Sequence, residues 1–281
     1  MSSNATSPAG LHGTGLTLGY RGCQVVRDAS IALTPGTVTA LVGPNGSGKS
    51  TLLRALARLH KPTAGDLLLD DAPALALSPK EFARRVTLLA QHRPTPQGVT
   101  VRDVVGYGRH PYRAGWRGED PDGPRAIAWA MSVTGVEPMA ARPVDELSGG
   151  ELQRVWLATC LAQDTRVLML DEPTTFLDLR YQVEILDLVR DLADEHGVAV
   201  GVVLHDLNQA AEVADRVVLL HDGTVVASGT PLAVFTPERL TAVYGISIDV
   251  TVDPDGGVAT IRPVGRHSSR PRPLVTTTPN G

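Results

Sequence analysis

One glycine-rich segment limits the fold of this chain more than any other feature of the sequence. It reads Gly43, Pro44, Asn45, Gly46, Ser47, Gly48, Lys49, Ser50 and Thr51. The apolar run Val38 to Val42 precedes it, and the helical pattern Lys49 to His60 follows it. The pattern GxxxxGK(S/T) binds phosphate when a strand precedes it and a helix follows. A chance glycine-rich turn is the alternative, and the flanking patterns argue against it.

The residue types in this segment predict its ligand. Glycines let successive backbone N–H groups turn inward toward phosphate oxygens, and the helix N-terminus adds partial positive charge. Lys49 is expected to reach the β- and γ-phosphates, and the Ser50 hydroxyl is expected to bind Mg²⁺. The segment therefore predicts a site for a nucleoside triphosphate with Mg²⁺.

The apolar runs predict an α/β fold. They are nearly continuous, as in strands that are covered on both faces of a sheet. The runs are Val38 to Val42, Val167 to Leu170, Val198 to Leu204 and Val217 to Leu220. The helical patterns are Lys49 to His60, Glu151 to Gln163, Tyr181 to Glu195 and Leu207 to Asp215.

The chain organisation is predicted from composition. We expect a disordered leader at residues 1–12, one domain at 13–261 and a disordered tail at 262–281. A mostly helical region at about 93–162 is expected as an insertion in the α/β core. Two hairpins are expected, one joining Ala29–Leu33 to Thr37–Leu41 and one joining Ile246–Val252 to Val258–Ile261.

Charge and hydropathy exclude several classes of protein. The net charge of −4 argues against a nucleic-acid partner, because such proteins usually carry a basic excess. No run approaches the 18 to 20 or so apolar residues that span a bilayer. The N-terminus lacks the basic and apolar regions of a secretory signal, so the protein is expected in the cytosol.

Two acids follow the apolar run Val167 to Leu170. Acids at the carboxyl end of a strand point into the crevice where α/β proteins bind ligands. Asp171 is expected to hold Mg²⁺ through water, and Glu172 to orient or deprotonate an attacking water. The alternative is a helix-capping acid pair.

A capped glycine turn opens the second helical pattern, Glu151 to Gln163. Ser148 and Glu151 have the spacing of a capping box, and Gly149 and Gly150 lie between them. Exposed N–H groups at such a turn form an anion site. The alternative is a well-capped helix with no further role.

The segment Leu147 to Arg154 resembles the signature sequence of ATP-binding-cassette (ABC) ATPases, and the resemblance covers about residues 14–245. It implies a P-loop NTPase fold with a RecA-like core, an antiparallel β subdomain and an inserted helical subdomain. In this family two cassettes dimerise head to tail. The resemblance implies that Ser148, Gly149 and Gly150 contact the γ-phosphate bound to the other copy.

The same resemblance implies roles for four further residues. Tyr20 corresponds to an aromatic that stacks on adenine, and Gln91 to a glutamine that senses Mg²⁺ and the γ-phosphate. Asp178 corresponds to an aspartate at the dimer seam, and His205 to a histidine that contacts the γ-phosphate. Without the resemblance, each would be interpreted as an ordinary structural or surface residue.

Shorter segments resemble importers of iron-siderophore, haem and cobalamin. These are Gly108 to Tyr112, near the partner surface, and Thr174 to Asp178 followed by Gln182. They imply a homodimer on ATP binding, transmembrane permease subunits, a solute-binding protein and a peripheral position on the cytoplasmic membrane face. A cassette acting on the ribosome or DNA is an alternative, as is another phosphate-loop enzyme such as a kinase or GTPase. The single cassette, the acidic charge and the Leu147 to Arg154 turn argue against both.

Overall fold

The protein is described by a computed structural model that covers residues 10–91, 93–113, 120–253 and 257–265. A six-stranded sheet lies at its centre. Its strands are β3 (Val38–Val42), β6 (Val86–Leu89), β7 (Val167–Asp171), β8 (Ala199–Val203), β9 (Arg216–His221) and β10 (Thr224–Gly229). Their order is β10-β9-β3-β8-β7-β6, and only the β9–β10 pair is antiparallel. Every residue of β3, β7 and β8 is buried, which confirms the α/β prediction from the apolar runs.

A second, antiparallel sheet covers the first part of the chain. Its strands are β1 (Leu11–Tyr20), β2 (Cys23–Leu33), β4 (Ala64–Leu69) and β5 (Ala72–Pro73), in the order β2-β1-β4-β5. The helix α1 (Lys49–Leu56) lies between the sheets, where Leu52 and Leu53 join one apolar cluster with residues of both. The phosphate loop is therefore held between two rigid layers.

The predicted hairpin between Ala29–Leu33 and Thr37–Leu41 is wrong. The first segment belongs to β2, which pairs with β1, whereas β3 pairs with β8 and β9. Both edges of β3 are occupied by its parallel neighbours, so no hydrogen-bonding edge remains for β2. The turn at Pro35 and Gly36 carries the chain from one sheet to the other.

Helices fill the interval between β6 and β7. They are α3 (Val101–Gly106), α4 (Gly123–Val133) and α5 (Gly149–Ala162), whereas α2 (Pro79–Ala83) lies just before β6. The helices α3 and α4 both pack on α5. This agrees with the helical character expected for 93–162, although the first helix of the interval begins only at Val101. Its status as a separate subdomain stays a prediction.

Arg109 is buried, and the position of its segment near a partner surface stays a prediction. Its side chain is 2% exposed, and its Nε lies 2.7 Å from Asp120 Oδ2. Its Nη1 donates a hydrogen bond of 2.9 Å to the carbonyl of Ala162, the last residue of α5. A guanidinium in this position supports the C-terminus of α5.

The remaining helices follow β7. They are α6 (Leu179–Asp194), α7 (Leu207–Val213), α8 (Pro231–Val234) and α9 (Pro237–Tyr244). The predicted C-terminal hairpin is confirmed as β11 (Ile248–Val252) and β12 (Ala259–Pro263), whose turn residues 254–256 lie outside the described part. Asn208 on α7 fixes this hairpin, because it donates to Ile261 O at 3.1 Å and accepts from Ile261 N at 2.7 Å.

Both predicted terminal boundaries are wrong by two residues. Leu11 and His12 begin β1 instead of ending a leader, because Leu11 is buried between Leu33 and Leu69. Arg262 and Pro263 end β12 instead of beginning a tail, and Arg262 is paired with Asp249 at 2.7 Å. Residues 1–9 and 266–281, which hold the rest of the leader and tail, lie outside the described part.

No helix in the described ranges combines the length and the apolar character that crossing a membrane requires.

Candidate active site

The phosphate loop connects β3 to α1 and requires glycine at two tight positions. Gly43 has φ 144°, and a Cβ there would lie 2.0 Å from the carbonyl oxygen of Leu220 in β9. Gly48 has φ 100°, and a Cβ there would lie 2.7 Å from Val26 in β2. Both sheets thus approach the loop so closely that only glycine fits.

Lys49 is buried beneath the loop. Its Nζ donates hydrogen bonds to the carbonyls of Gly43 at 2.8 Å and Pro44 at 3.0 Å. Burial lowers the pKa of Lys49, whereas the charges of Glu172 and Asp171 oppose this change. The ammonium is therefore held inside the loop by neutral carbonyls that phosphate oxygens can replace.

Asp171 ends β7 beside the start of α1. Ser50 donates a 2.7 Å hydrogen bond to Asp171 Oδ1, while the buried Oδ2 has no hydrogen-bond partner and lies 3.9 Å from Arg54. Burial raises the pKa of the Asp171 carboxyl, and the Ser50 hydrogen bond and the Arg54 charge oppose this. Arg54 was not among the site residues predicted from the sequence. Its position four residues after Ser50 places both side chains on one face of α1.

These donor atoms fit Mg²⁺. The ion prefers oxygen ligands and retains several waters, and it is usually bound by one or two protein side chains with substrate phosphates. The unpaired Asp171 Oδ2 next to the Ser50 hydroxyl meets that requirement. No group of three or more His, Cys, Asp or Glu side chains suited to a metal occurs in the described residues, so phosphate and water would complete the coordination.

Glu172 is contacted from both sides by the other two predicted catalytic residues. Its Oε2 accepts a hydrogen bond from Gln91 Nε2, and its Oε1 lies 2.7 Å from His205 Nε2. Gln91, Glu172 and His205 follow β6, β7 and β8, three adjacent parallel strands. The carboxyl ends of these strands meet at one edge of the sheet, and this edge brings the three side chains together.

A cavity of about 170 Å³ joins the phosphate loop to this edge. Its lining consists of Val25, Asn45, Gly46, Gly48, Lys49, Ser50, Thr51 and Glu172. Glu172 therefore faces the same space as the backbone that is expected to hold phosphate.

The predicted signature turn forms a complete N-cap for α5. The Ser148 hydroxyl accepts from Glu151 N at 3.4 Å, and the Glu151 carboxylate accepts from Ser148 N at 2.9 Å. Gly150 packs against Tyr181, whose ring would lie 2.4 Å from an added Cβ, whereas an added Cβ at Gly149 would meet nothing within 4 Å. Ser148 and Gly149 are exposed, and among the described residues no hydrogen bond or ion pair joins the turn to the phosphate loop.

Two further predicted residues lie outside the cavity lining. Asp178 caps α6, because its Oδ1 accepts from Tyr181 N at 3.1 Å. Tyr20 is 46% exposed at the end of β1, and its ring centroid lies 4.5 Å from that of His60. His60 follows α1 and was not among the residues predicted from the sequence. Its ring lies beside that of Tyr20.

Comparison with known proteins gives consistent similarities. Residues 26–175 match the family described as ABC transporter. The ferric enterobactin transport ATP-binding protein FepC of Escherichia coli is 42% identical, over 92% of this chain and 96% of its own length. The iron(3+)-hydroxamate import ATP-binding protein FhuC of Bacillus subtilis is 41% identical, over 85% and 89%. Among solved structures, the dimeric MJ0796, a bacterial ABC transporter cassette, has a TM-score of 0.69 and 27% identity, over 79% and 98%.

Proposed function

The chain belongs to the ABC transporter family as an ATP-binding subunit, and we propose that it hydrolyses Mg-ATP to drive uptake of an iron-siderophore complex. The observation that carries the site assignment is the shared cavity of the phosphate loop and Glu172. A phosphate loop alone would support nucleotide binding only. A carboxylate facing the same space, in contact with Gln91 and His205, adds the group that hydrolysis needs.

Binding begins with an exchange of partners at Lys49. Phosphate oxygens replace the carbonyls of Gly43 and Pro44, while loop N–H groups from Gly46 to Thr51 donate to the same phosphates. Tyr20 stacks on the adenine, since its half-exposed ring offers an aromatic surface. Ser50, Gln91 and Asp171 would hold Mg²⁺, which would neutralise negative charge on the phosphates.

Hydrolysis is a displacement at the γ-phosphorus. Glu172 orients a water molecule and accepts its proton while the water oxygen bonds to phosphorus. The bond to the oxygen that bridges the β- and γ-phosphates breaks, which yields ADP and inorganic phosphate. His205 donates to the γ-phosphate from Nε2, the atom that lies 2.7 Å from Glu172 Oε1 in the structure.

Two copies complete the site. Ser148 and Gly149 are exposed at the start of α5, and no described contact connects them to their own phosphate loop. We infer that these residues, with Gly150, bind the γ-phosphate held by a second copy, and that Asp178 lies at the seam. The dimeric structure of the similar cassette MJ0796 supports this arrangement.

We infer that this chain lies at the cytoplasmic membrane face, with transmembrane permease subunits as its partners and a solute-binding protein reached through that complex. A cleft of about 400 Å³ lies between the end of α1, α2 and β6, and Leu59 at its rim is 69% exposed. Because β6 leads directly to Gln91, a permease helix in this cleft would be mechanically linked to the site. The transport roles named for FepC and FhuC support a ferric siderophore as the cargo.

The decisive experiment replaces the proposed base and keeps its size. Glu172→Gln should reduce ATP turnover by about 10²-fold or more while retaining ATP binding and accumulating an ATP-bound dimer. Glu195→Gln, a change at an exposed residue after α6, is the matched control. Normal turnover by the Glu172 variant would refute the assigned role. The cargo is tested by measuring uptake of ferric chelates by the assembly with its permease. An assembly that transports no iron chelate would refute the proposed cargo.

A further inference from the structure

Three polar side chains form a continuous hydrogen-bonded chain behind the catalytic edge. Thr174 Oγ1 donates to Gln209 Oε1 at 3.1 Å, and Gln209 Nε2 donates to Gln182 Oε1 at 2.8 Å. Gln182 Nε2 then donates to the Leu177 carbonyl at 2.9 Å. We call Thr174, Gln182 and Gln209 the amide relay. It joins the loop after β7 to both α6 and α7.

The Leu177 carbonyl fixes the direction of every bond in the amide relay. A carbonyl only accepts hydrogen bonds, so the Gln182 amide must turn its NH₂ toward it. The Gln182 oxygen then faces Gln209, whose NH₂ must point to it, and the Gln209 oxygen remains for the Thr174 hydroxyl. Each amide thus has one orientation in which all three bonds form.

The amide relay links the chain segment after Glu172 to the chain segment after His205. Thr174 lies two residues after Glu172, and Gln209 lies in the first turn of α7, where its N–H donates to Asp206 at 3.3 Å. Asp206 directly follows His205, whose Nε2 lies 2.7 Å from Glu172 Oε1. The relay therefore connects the backbone segments that carry the two reacting side chains.

The loop between Glu172 and Asp178 depends on this support. Its own backbone bonds are long, since Thr175 N lies 3.4 Å from Glu172 O and Leu177 N lies 3.4 Å from Thr174 O. Two of its residues, Glu172 with φ 56° and Phe176 with φ 64°, adopt the left-handed conformation that side chains disfavour. Such a loop needs outside contacts to keep one conformation. The relay holds it at Thr174 and Leu177, and Gln153 on α5 donates to the Pro173 carbonyl at 3.1 Å.

We propose that Gln182 and Gln209 are positioning residues for ATP hydrolysis, because their amide relay sets the separation between Glu172 and His205. This inference rests on the proposed function of the site. The relay touches neither the phosphate loop nor its cavity lining, so it acts on turnover and not on nucleotide binding.

The first test removes the amides and keeps side-chain length. Gln182→Met and Gln209→Met should each lower kcat by about tenfold or more with KM for ATP unchanged, because misplacement of catalytic groups is costly. The double variant should lose no more than the worse single variant, since one break opens the relay. Val183→Met, at the exposed neighbour on α6, is the matched control and should keep normal kcat.

The second test uses the fixed orientation of Gln182. In Gln182→Glu the ionised carboxylate would place an oxygen against the Leu177 carbonyl, whereas the protonated acid can donate to it as the amide does. Asp178 and Asp206, the N-cap residues of α6 and α7, oppose a further negative charge and favour the protonated form. The kcat of this variant, relative to the unsubstituted chain at the same pH, should therefore rise as the pH falls.

The outcomes separate this inference from the proposed function. Normal kcat in both Met variants, or a pH-independent kcat ratio in Gln182→Glu, would overturn the amide relay while an inactive Glu172→Gln kept the proposed function intact. An active Glu172→Gln would refute the proposed base itself. Thermal unfolding of each variant identifies any loss that comes from unfolding, and Gln182→Glu then decides, since recovery at low pH requires a folded chain.

Discussion

His205 Nε2 lies 2.7 Å from Glu172 Oε1, and Gln91 donates to the other oxygen of the same carboxylate. Both side chains that we expect at the γ-phosphate therefore contact the proposed base. A γ-phosphate is a more highly charged acceptor than a carboxylate, so we expect Gln91 and His205 to turn to it when ATP binds and to free Glu172 to bind water.

Removing the imidazole should slow turnover without affecting ATP binding. We expect His205→Ala to reduce kcat on the order of 10²-fold, within the range of lost proton-transfer and positioning groups. Steady-state ATPase assays and nucleotide binding measure the two effects. Because His205 and Glu172 act as a unit, adding Glu172→Gln should cause little further loss, and additive losses would contradict the pairing.

Removing the buried ammonium of Lys49 should weaken the binding of ATP itself. Lys49→Ala deletes a charged donor, which is worth about 1.5–3 kcal/mol, so affinity for ATP should fall by roughly ten- to a hundredfold. Equilibrium binding of a fluorescent ATP analogue measures this loss. Lys61→Ala, at an exposed lysine after α1, is the control and should bind normally. Equal affinities for the two variants would argue against the loop assignment.

The buried Asp171 carboxylate should lower the stability of the folded chain when it is ionised. Its folded pKa is raised by burial, so the ionised carboxylate carries a penalty that is present at neutral pH and fades as the pH falls through the folded pKa. Asp171→Asn should raise the melting temperature at neutral pH, by about 2–4 °C for each kcal/mol removed. The difference should shrink on acidification. Stabilisation by ATP should also lose its dependence on Mg²⁺, and a lower melting temperature at neutral pH would contradict the prediction.

The two signature glycines should respond differently to alanine. At Gly150 the added methyl would meet Tyr181 at 2.4 Å, so Gly150→Ala should destabilise the chain. At Gly149 it meets nothing within 4 Å, and alanine favours the helix by up to about 1 kcal/mol. We therefore expect Gly149→Ala to keep or raise stability. It should still lose ATPase activity, because the added methyl would obstruct the γ-phosphate held by the second copy. Full activity would indicate that this turn touches no nucleotide.

Removing Arg109 from its buried ion pair should cost much more stability than removing an arginine from an exposed ion pair. Arg109→Met leaves Asp120 without its partner in a nearly buried position, which should cost about 3–5 kcal/mol. Arg125→Met breaks the exposed pair with Asp122 and should cost less than about 1 kcal/mol. Denaturant unfolding of both variants measures the contrast, and similar losses would refute the structural role of Arg109.

Local patterns were sufficient to predict four strands of the central sheet and the position of two acids at the end of one of them. The runs Val38 to Val42 and Val167 to Leu170 are apolar on both faces, and the acids that follow the second run mark where the strand ends. The predicted hairpin at Pro35 and Gly36 failed because a turn signal does not reveal which strand the next segment pairs with. That choice depends on β8 and β9, more than 150 residues further along the chain.

The contacts behind the site could not be predicted for the same reason. Gln182 was noted only as part of a resemblance, since its partner Gln209 lies on another helix. Arg109 was expected near a surface, and only the packing of its segment on α5 explains its burial. Arg54 was within reach of helical spacing from Ser50, so it is the one omission that the sequence alone could have corrected.

The position of Lys49 has a consequence for the timing of the ATPase cycle. Folding has already withdrawn this ammonium from water and left it with two loop carbonyls, as its lowered pKa reflects. Nucleotide entry then requires neither dehydration nor a large rearrangement of the lysine, only a change of acceptor. We therefore expect capture and release of ATP to be rapid and reversible, with closure of the proposed dimer as the slower step that commits ATP to hydrolysis.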